Sequence, residues 1–174
     1  MAVLSYISSR DHRLMRRLHR WRAPHWVQIW MLAAARGGDG WLWVMVGLGI
    51  LQFGGEDRYA ALSAAGMAAV LGMALYLTLK PALRRERPCA IEPHIWATLL
   101  PPDRFSFPSG HAMTAFAVAY PLALFYPPMT PALVFAALSI AVSRLILGMH
   151  FLSDVIVGSA MGSVIGWAVC RLFV

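Results

Sequence analysis

The polar residues best suited to chemistry lie between two apolar stretches, in SRLILGMHFLSD, residues 143–154. His150 and Asp154 are four residues apart, about one helical turn, so their side chains can meet. A carboxylate bonded to one imidazole nitrogen fixes the tautomer and leaves the other nitrogen's lone pair available for attack. Arg144 could bind phosphate oxygens through two parallel hydrogen bonds. The structural alternative is that Asp154 is a first-turn helix acid covered by His150.

Two earlier clusters are also suited to binding an anion. Lys80 is the chain's only lysine, and Arg87 follows seven residues later, so the two share a face if the segment between them is helical. Ser109 and Gly110 open an apolar stretch, where free backbone N–H groups, a hydroxyl and a missing Cβ favour a close phosphate. His111, in the first turn, can pass a proton to a departing oxygen. The alternatives are snorkelling of basic residues at a membrane boundary and simple capping by Ser109.

The composition indicates an integral membrane protein. The 174 residues are 59% hydrophobic and 13% charged, with a mean hydropathy of +0.61, whereas a soluble domain is about half apolar and a quarter charged. The length predicts a single domain, residues 1–174. The net charge of +7 does not indicate a nucleic-acid partner, because six arginines lie within the first 22 residues. A basic stretch before apolar spans is typical of contact with anionic lipid headgroups.

The apolar pattern predicts an all-α membrane bundle of about six transmembrane helices. Four spans are clear, at 59–79, 110–126, 131–147 and 150–173, and a shorter pair at 25–36 and 41–53 is joined by GGDG. Each of the pair rises only about 18–20 Å against roughly 30 Å of hydrocarbon, so full crossing stays open. Residues 1–22 are predicted to be a basic interfacial arm outside the bundle, with an amphipathic helix capped by Ser9. A solvated basic tail is the alternative.

The distribution of arginine predicts an orientation in the membrane. The positive-inside rule places the N-terminus in the cytoplasm. Six crossings then gather the polar groups of residues 80–154 on the outer, periplasmic face of a bacterial inner membrane. Two half-crossings by the early pair would leave this result unchanged. If only one of the two segments crossed, the site would face the cytoplasm.

Three motifs follow one another along the chain, namely Lys80-x6-Arg87-Pro88, Pro108-Ser109-Gly110-His111 and Ser143-Arg144-x5-His150-x3-Asp154. Together they resemble the three-part pattern of the type 2 phosphatidic acid phosphatase family, which includes bacterial lipid and polyprenyl-diphosphate phosphatases. Every expected motif position is present between residues 80 and 154, and the first 55 residues carry no part of the pattern.

The resemblance implies a role for each motif residue. His150 would attack phosphorus and form a phosphohistidine, with Asp154 holding the imidazole oriented. His111 would protonate the leaving oxygen and then activate water. The phosphoryl oxygens would be bound by the remaining positions, Lys80, Arg87, Ser109, Gly110 and Arg144, without a metal or other cofactor.

The sequence therefore predicts a membrane phosphatase, a phosphoric monoester or diphosphate hydrolase. Its expected partners are the membrane and a lipid phosphate, such as undecaprenyl diphosphate or another polyprenyl diphosphate, or phosphatidylglycerophosphate. A lipid A phosphatase or phosphotransferase of the same family is the alternative. The headgroup is expected to meet the loop between Cys89 and Phe107 through Glu92, His94, Trp96 and Asp103. Neither the native lipid nor the oligomeric state follows from the sequence.

Two readings from other classes are less favoured. A zinc site formed by His111, His150 and Asp154 has suitable ligands, but the neighbouring arginines would repel a dication. A non-enzymatic anion or lipid transporter would place its charges near the membrane midplane in paired repeats. Here the charges lie at span ends, and no repeat is visible.

Overall fold

The described chain is built from helices. The computed structural model describes residues 2–91 and 104–173. The helices are α1 (Ala2–Arg20), α2 (His25–Arg36), α3 (Leu42–Phe53), α4 (Arg58–Leu83), α5 (Pro88–Ile91), α6 (Gly110–Phe125), α7 (Thr130–Ile146) and α8 (Leu152–Cys170). A kinked turn, Gly37–Trp41, joins α2 to α3, and a 3₁₀ turn, Pro127–Met129, leads into α7.

The predicted all-α membrane architecture is confirmed at the level of fold class. Among the described residues, α4, α7 with its preceding turn, and α8 are long and apolar enough to cross a membrane, and α6 is a shorter apolar helix. The total of six spans stays a prediction. Glu92, His94, Trp96 and Asp103, the expected headgroup contacts, lie outside the described residues.

Helix α6 lies at the centre of the bundle and packs against α8, α4 and α7. Its contact with α8 is close because glycines recur at every fourth position of α8, at Gly158, Gly162 and Gly166. A Cβ on Gly158 would lie 2.6 Å from the carbonyl oxygen of Ser109, and one on Gly162 would overlap the carbonyl oxygen of Met113. This glycine stripe therefore lets the α8 backbone lie directly on α6.

Four helix ends meet at one end of the bundle, which we call the site end. Helix α4 ends there and α6 begins there, while the turn between α7 and α8 closes over both. Helix α3 also starts near this end, because Gly38, just before it, contacts His111. At the opposite end, Tyr126 Oη donates a hydrogen bond of 2.9 Å to the carbonyl of Gly54, after α3. Helix α3 therefore connects the two ends of the bundle.

The N-terminal arm differs from the prediction in both start and position. Helix α1 begins at Ala2, so Ser9 lies inside the helix and is not its N-cap. The arm does not lie outside the bundle, because Asp11 forms an ion pair with Arg85 at 2.7 Å and His12 packs against the Phe151 ring. A buried carboxylate is strongly destabilised unless a cation lies beside it, and Arg85 at the site end is that cation.

The contacts of the early pair of segments show which end of the bundle the two helices share. Arg144 of the site end donates a 3.0 Å hydrogen bond to the carbonyl of Ala35, near the end of α2. Because Asp11 lies at the same end, the chain returns to its starting side before α3 begins. The chain therefore makes no net crossing between Asp11 and the start of α3, and crossing of the membrane by the pair as a hairpin stays a prediction.

The glycine stripe generates a stability prediction. Gly162→Ala should lower the thermal stability of the purified protein, because the added methyl meets the α6 backbone. Overpacking of this kind typically costs about 1–3 kcal/mol. Gly66→Ala in α4 is the matched control, since a Cβ there meets nothing within 4 Å, and alanine favours the helix. Equal melting temperatures for the Gly162→Ala and Gly66→Ala proteins would contradict the packing argument.

Candidate active site

A small cavity at the site end brings the three motifs together. Its volume is about 60 Å³. Of the eight residues predicted to form the site, six line it, and the lining comprises Lys80, Arg87, Gly110, His111, Arg144 and His150 together with Tyr76 and Met149. Ser109 and Asp154 lie directly behind this lining, and both are fully buried. The segments that are far apart in sequence therefore meet around one space, although their chemical roles stay predictions.

Lys80 and Arg87 reach the cavity from different backbone elements. Helix α4 ends at Leu83, and Arg84 adopts a left-handed conformation with φ of 46°. The condition under which Lys80 and Arg87 would share one helical face, a continuous helix between them, is therefore not met, because the chain turns at Arg84. Arg87 Nη1 donates to the carbonyl of Met149 at 2.9 Å, and Lys80 Nζ lies 5.1 Å from the centre of the Tyr76 ring. Both side chains are almost completely buried.

His150 presents one nitrogen to the cavity in a defined protonation state. Its Nε2 lies 3.1 Å from Arg87 Nη1. A guanidinium can only donate hydrogen bonds, so Nε2 must accept, and the neutral ring carries its proton on Nδ1. His150 lies in the turn between α7 and α8, where burial lowers its pKa to about 4. The ring is therefore neutral at neutral pH, with the Nε2 lone pair at the cavity.

Asp154 lies on the other side of the His150 ring and is held by several donors. Its Oδ2 is 3.7 Å from His150 Nδ1 and accepts a 2.8 Å hydrogen bond from the backbone N–H of Phe151. Its Oδ1 accepts a 2.6 Å hydrogen bond from Arg85. The carboxylate therefore faces the protonated nitrogen of His150 and favours the tautomer in which Nε2 carries a lone pair and no proton.

Helix α6 points its N-terminus at the cavity. Gly110 is required at its first position, because a Cβ there would lie 3.1 Å from the Tyr76 ring. Ser109 anchors this terminus, since its backbone N–H donates to the Asp154 carbonyl at 3.1 Å. Among the described residues, the Ser109 hydroxyl has no hydrogen-bond partner. A buried hydroxyl beside a helix N-terminus is a suitable donor for an anion in the cavity.

Two contacts hold the guanidinium of Arg144 in place, and its Nε–H donor takes part in neither of them. Its Nη2 donates to the Ala35 carbonyl and its Nη1 contacts Met149 Sδ, each at 3.0 Å. Its Nε is buried and has no partner in the described part of the chain. Helix α2 thus contributes a carbonyl that orients a cation of the candidate site.

His111 pairs with a carboxylate that the sequence reasoning did not single out. Its Nε2 lies 2.8 Å from Asp39 Oδ1, and the same oxygen is 3.8 Å from Arg144 Nη2. Asp39 belongs to the kinked turn before α3, where a Cβ on Gly38 would meet Ile140 at 2.8 Å and His111 at 3.2 Å. Close approach of this turn therefore requires glycine beside Asp39. The only sequence signal was the GGDG turn itself.

The arrangement does not favour the zinc alternative. Within the described ranges, no group of three His, Cys, Asp or Glu side chains is placed to share a metal ion. The predicted ligands His111 and His150 instead contact Asp39 and Arg87, respectively, through their Nε2 atoms. These pairs suit proton handling and anion binding better than coordination of a dication.

Comparison with known proteins gives consistent results. The model of the PAP2 superfamily matches residues 61–174, which include all eight predicted site residues. Decaprenylphosphoryl-5-phosphoribose phosphatase of Mycobacterium tuberculosis is 35% identical over 143 residues, covering 78% of this chain and 77% of that protein.

Two solved structures share the fold over most of their length. The PAP2-type phosphatidylglycerolphosphate phosphatase from Bacillus subtilis has a TM-score of 0.70 at 26% identity, covering 96% of this chain and 86% of its own. Aquifex aeolicus LpxE has a TM-score of 0.71 at 25% identity, covering 91% and 93%. These similarities confirm the predicted family, the helical membrane fold and the phosphatase class. The chain belongs to the PAP2 superfamily.

Proposed function

We propose that this membrane phosphatase removes a terminal phosphoryl group from a polyprenyl-linked lipid. The observation that carries the proposal is the cavity in which Lys80, Arg87 and Arg144 surround the Nε2 lone pair of His150. Preorganised cations of this kind stabilise the charge that spreads over the phosphoryl oxygens in the transition state. The named activity of the mycobacterial relative supports a polyprenyl-linked substrate.

The first chemical step forms a covalent intermediate. The Nε2 lone pair of His150 attacks phosphorus, and the bond from phosphorus to the leaving oxygen breaks. Asp154 stabilises the imidazolium that develops on His150. His111 gives its proton to the leaving oxygen, so the alcohol departs neutral.

The second step regenerates the enzyme. His111, now neutral, takes a proton from water, whose oxygen attacks phosphorus while the phosphorus–nitrogen bond of His150 breaks. Inorganic phosphate leaves, and both histidines return to their initial states. Asp39 Oδ1 lies 2.8 Å from His111 Nε2, and this contact holds the imidazole in one orientation at the cavity through both steps.

The cavity size supports recognition of one phosphoryl group at a time. Its volume of about 60 Å³ is far below the roughly 300 Å³ at which pockets for whole small-molecule ligands begin. The rest of the headgroup must therefore lie outside the cavity. A terminal monoester suits this geometry well, while a diphosphate would leave its second phosphoryl group outside.

An apolar groove beside the cavity offers a place for the lipid tail. It lies between α2 and α7, has a volume of about 240 Å³ and includes Trp30, Phe135 and Ile140 in its lining. Ile140 also contacts the kinked turn that carries Asp39. A tail in this groove would therefore pass close to His111.

We also propose that the site faces the cytoplasm of a bacterial inner membrane. The outward orientation expected from the sequence depended on six crossings, with the basic arm and the site on opposite faces. The ion pair of Asp11 with Arg85 joins them at one end. Among the basic residues whose place in the bundle is fixed by the helix bounds or by contacts, the site end has Lys80, Arg84, Arg85, Arg87, Arg104 and Arg144, and the opposite end has Arg58 and Arg171. The positive-inside rule then favours a cytoplasmic site end.

Activity on a panel of lipid phosphates tests the proposed function. We expect phosphate release from polyprenyl-linked sugar phosphates to exceed release from phosphatidylglycerophosphate and lipid A phosphate, and to continue in the presence of a strong chelator. Lys80→Met should lower kcat/KM by roughly 30- to 1,000-fold, because loss of one preorganised donor raises the barrier by about 2–4 kcal/mol.

Arg104→Gln is the matched control for this substitution. Arg104 is a cation close in sequence to the site, but its side chain is 77% exposed and does not line the cavity. The Arg104→Gln protein should therefore retain the wild-type kcat/KM. Wild-type kinetics in the Lys80→Met protein would remove Lys80 from the site, and absence of phosphate release from every lipid would contradict the proposed function.

Cysteine accessibility tests the orientation. Cys89 lies at the site end, and Glu56 lies in the connection before α4 at the opposite end. One variant would keep Cys89 alone, and another would replace both native cysteines by serine and carry Glu56→Cys. In intact spheroplasts an impermeant maleimide should label the Glu56→Cys protein, and should reach Cys89 only after permeabilisation. The opposite pattern would restore the outward orientation.

A further inference from the structure

The N-terminal helix carries one buried acidic residue on an otherwise basic surface. Asp11 is 6% exposed, although arginines at positions 10 and 13 flank it. Its Oδ1 accepts a 3.2 Å hydrogen bond from the backbone N–H of Ser153, and its Oδ2 accepts from the Ser153 hydroxyl. The helix is thereby tied to the first turn of α8, one residue before Asp154.

Arg85 connects this carboxylate to the candidate active site. Its Nη2 donates to Asp11 Oδ2 at 2.7 Å, while its Nη1 donates to Asp154 Oδ1 and to the Ser153 hydroxyl, each at 2.6 Å. One planar guanidinium therefore bridges two buried carboxylates, one from the N-terminal helix and one from α8. Such forked hydrogen bonding fixes orientation as well as charge.

An aromatic contact holds the bridge in place. The guanidinium of Arg85 lies over the Phe151 ring, 4.3 Å from its centre. The same ring also contacts His12, whose ring centre is 4.9 Å away in an edge-on arrangement. Helix α1 thus packs beside the side chain of Phe151, whose backbone N–H bonds Asp154 Oδ2.

We propose that Asp11 is a positioning residue that holds Arg85 on Asp154, which makes the N-terminal helix a part of the active site. Without the Asp11 carboxylate, one arm of the guanidinium loses its partner and the side chain can turn toward solvent, because it is already 24% exposed. Asp154 would then be held less firmly against His150 Nδ1. This inference rests on the proposed phosphatase function.

Kinetics of Asp11 variants in the full-length protein test the inference. Asp11→Asn keeps the shape but removes the charge, and should lower kcat about 10-fold while KM and inhibition by inorganic phosphate change less than twofold. Asp11→Glu should recover at least part of the lost kcat, because a carboxylate is again available to Arg85. Asp57→Asn is the control, since it removes an exposed carboxylate at the opposite end.

A double-mutant cycle shows whether Asp11 acts through Arg85. The Asp11→Asn change should have little further effect on kcat in an Arg85→Gln background, because the bridge is already gone. Independent, multiplicative effects would overturn the proposal, as would wild-type kcat in the Asp11→Asn protein. Equal losses in kcat and in phosphate inhibition would also overturn it, since they indicate a general structural defect.

The outcomes separate this inference from the proposed function. If the wild-type protein releases phosphate and the Asp11→Asn protein releases it equally fast, only the positioning role fails. If the wild-type protein releases none, the proposed function itself fails. If the Asp11→Asn protein does not fold, the Arg85→Gln protein decides, because it removes the same bridge to Asp154: a lowered kcat supports the role, and a wild-type kcat overturns it.

Discussion

Three buried cations line one small cavity, and the structure around them must offset the free-energy cost of burying these charges together. Lys80, Arg87 and Arg144 are each at most 7% exposed. Desolvating a charge costs several kcal/mol even after relaxation, and like charges add their repulsion. The carbonyls of Ala35 and Met149 partly compensate through hydrogen bonds. A phosphoryl group in the cavity would bring negative charge next to these cations, so the site suits a phosphate ester and the charge that spreads over its oxygens in the transition state.

The charges alternate outward from the cavity. Beyond the cations lies neutral His150, then Asp154, then Arg85, and finally Asp11 of the N-terminal helix. Beyond His150, Arg85 pairs with both Asp154 and Asp11, so each of these three charged groups has an oppositely charged neighbour. The glycine stripe of α8 serves the same arrangement, because it allows the α8 backbone to approach Ser109 and so sets the first turn of α8 against the first turn of α6.

Much of the site could be predicted from the sequence because its residues are of rare types at fixed spacing. A lone lysine, a histidine opening a span and a histidine one turn before an aspartate stand out against an apolar chain. The partners Asp39, Arg85 and Asp11 could not be predicted in this way. Their roles depend on which segments fold over the cavity, and a GGDG turn or a basic arm has many other uses.

The same limit applies to the membrane topology. The composition identified the apolar segments, but the length of α2 does not show whether this helix crosses the membrane. The contacts that decide are tertiary, namely Asp11 with Arg85 and Arg144 with the Ala35 carbonyl. Helix α4 runs to Leu83, past the predicted end of its span at residue 79, and the left-handed Arg84 then turns the chain before Arg87. Local sequence propensity predicts the helices, whereas long-range contacts between charged groups determine how the helices pack against one another.

The central claim is that Nε2 of His150 becomes bonded to phosphorus during turnover. The most direct measurement uses a ³²P-labelled aryl phosphate, whose leaving group needs no proton, with the His111→Ala protein. Loss of His111 should then slow only hydrolysis of the intermediate, so alkaline quenching and peptide mapping should locate the label on His150. Continued turnover with no label on His150, or with the label on another residue, would contradict the account.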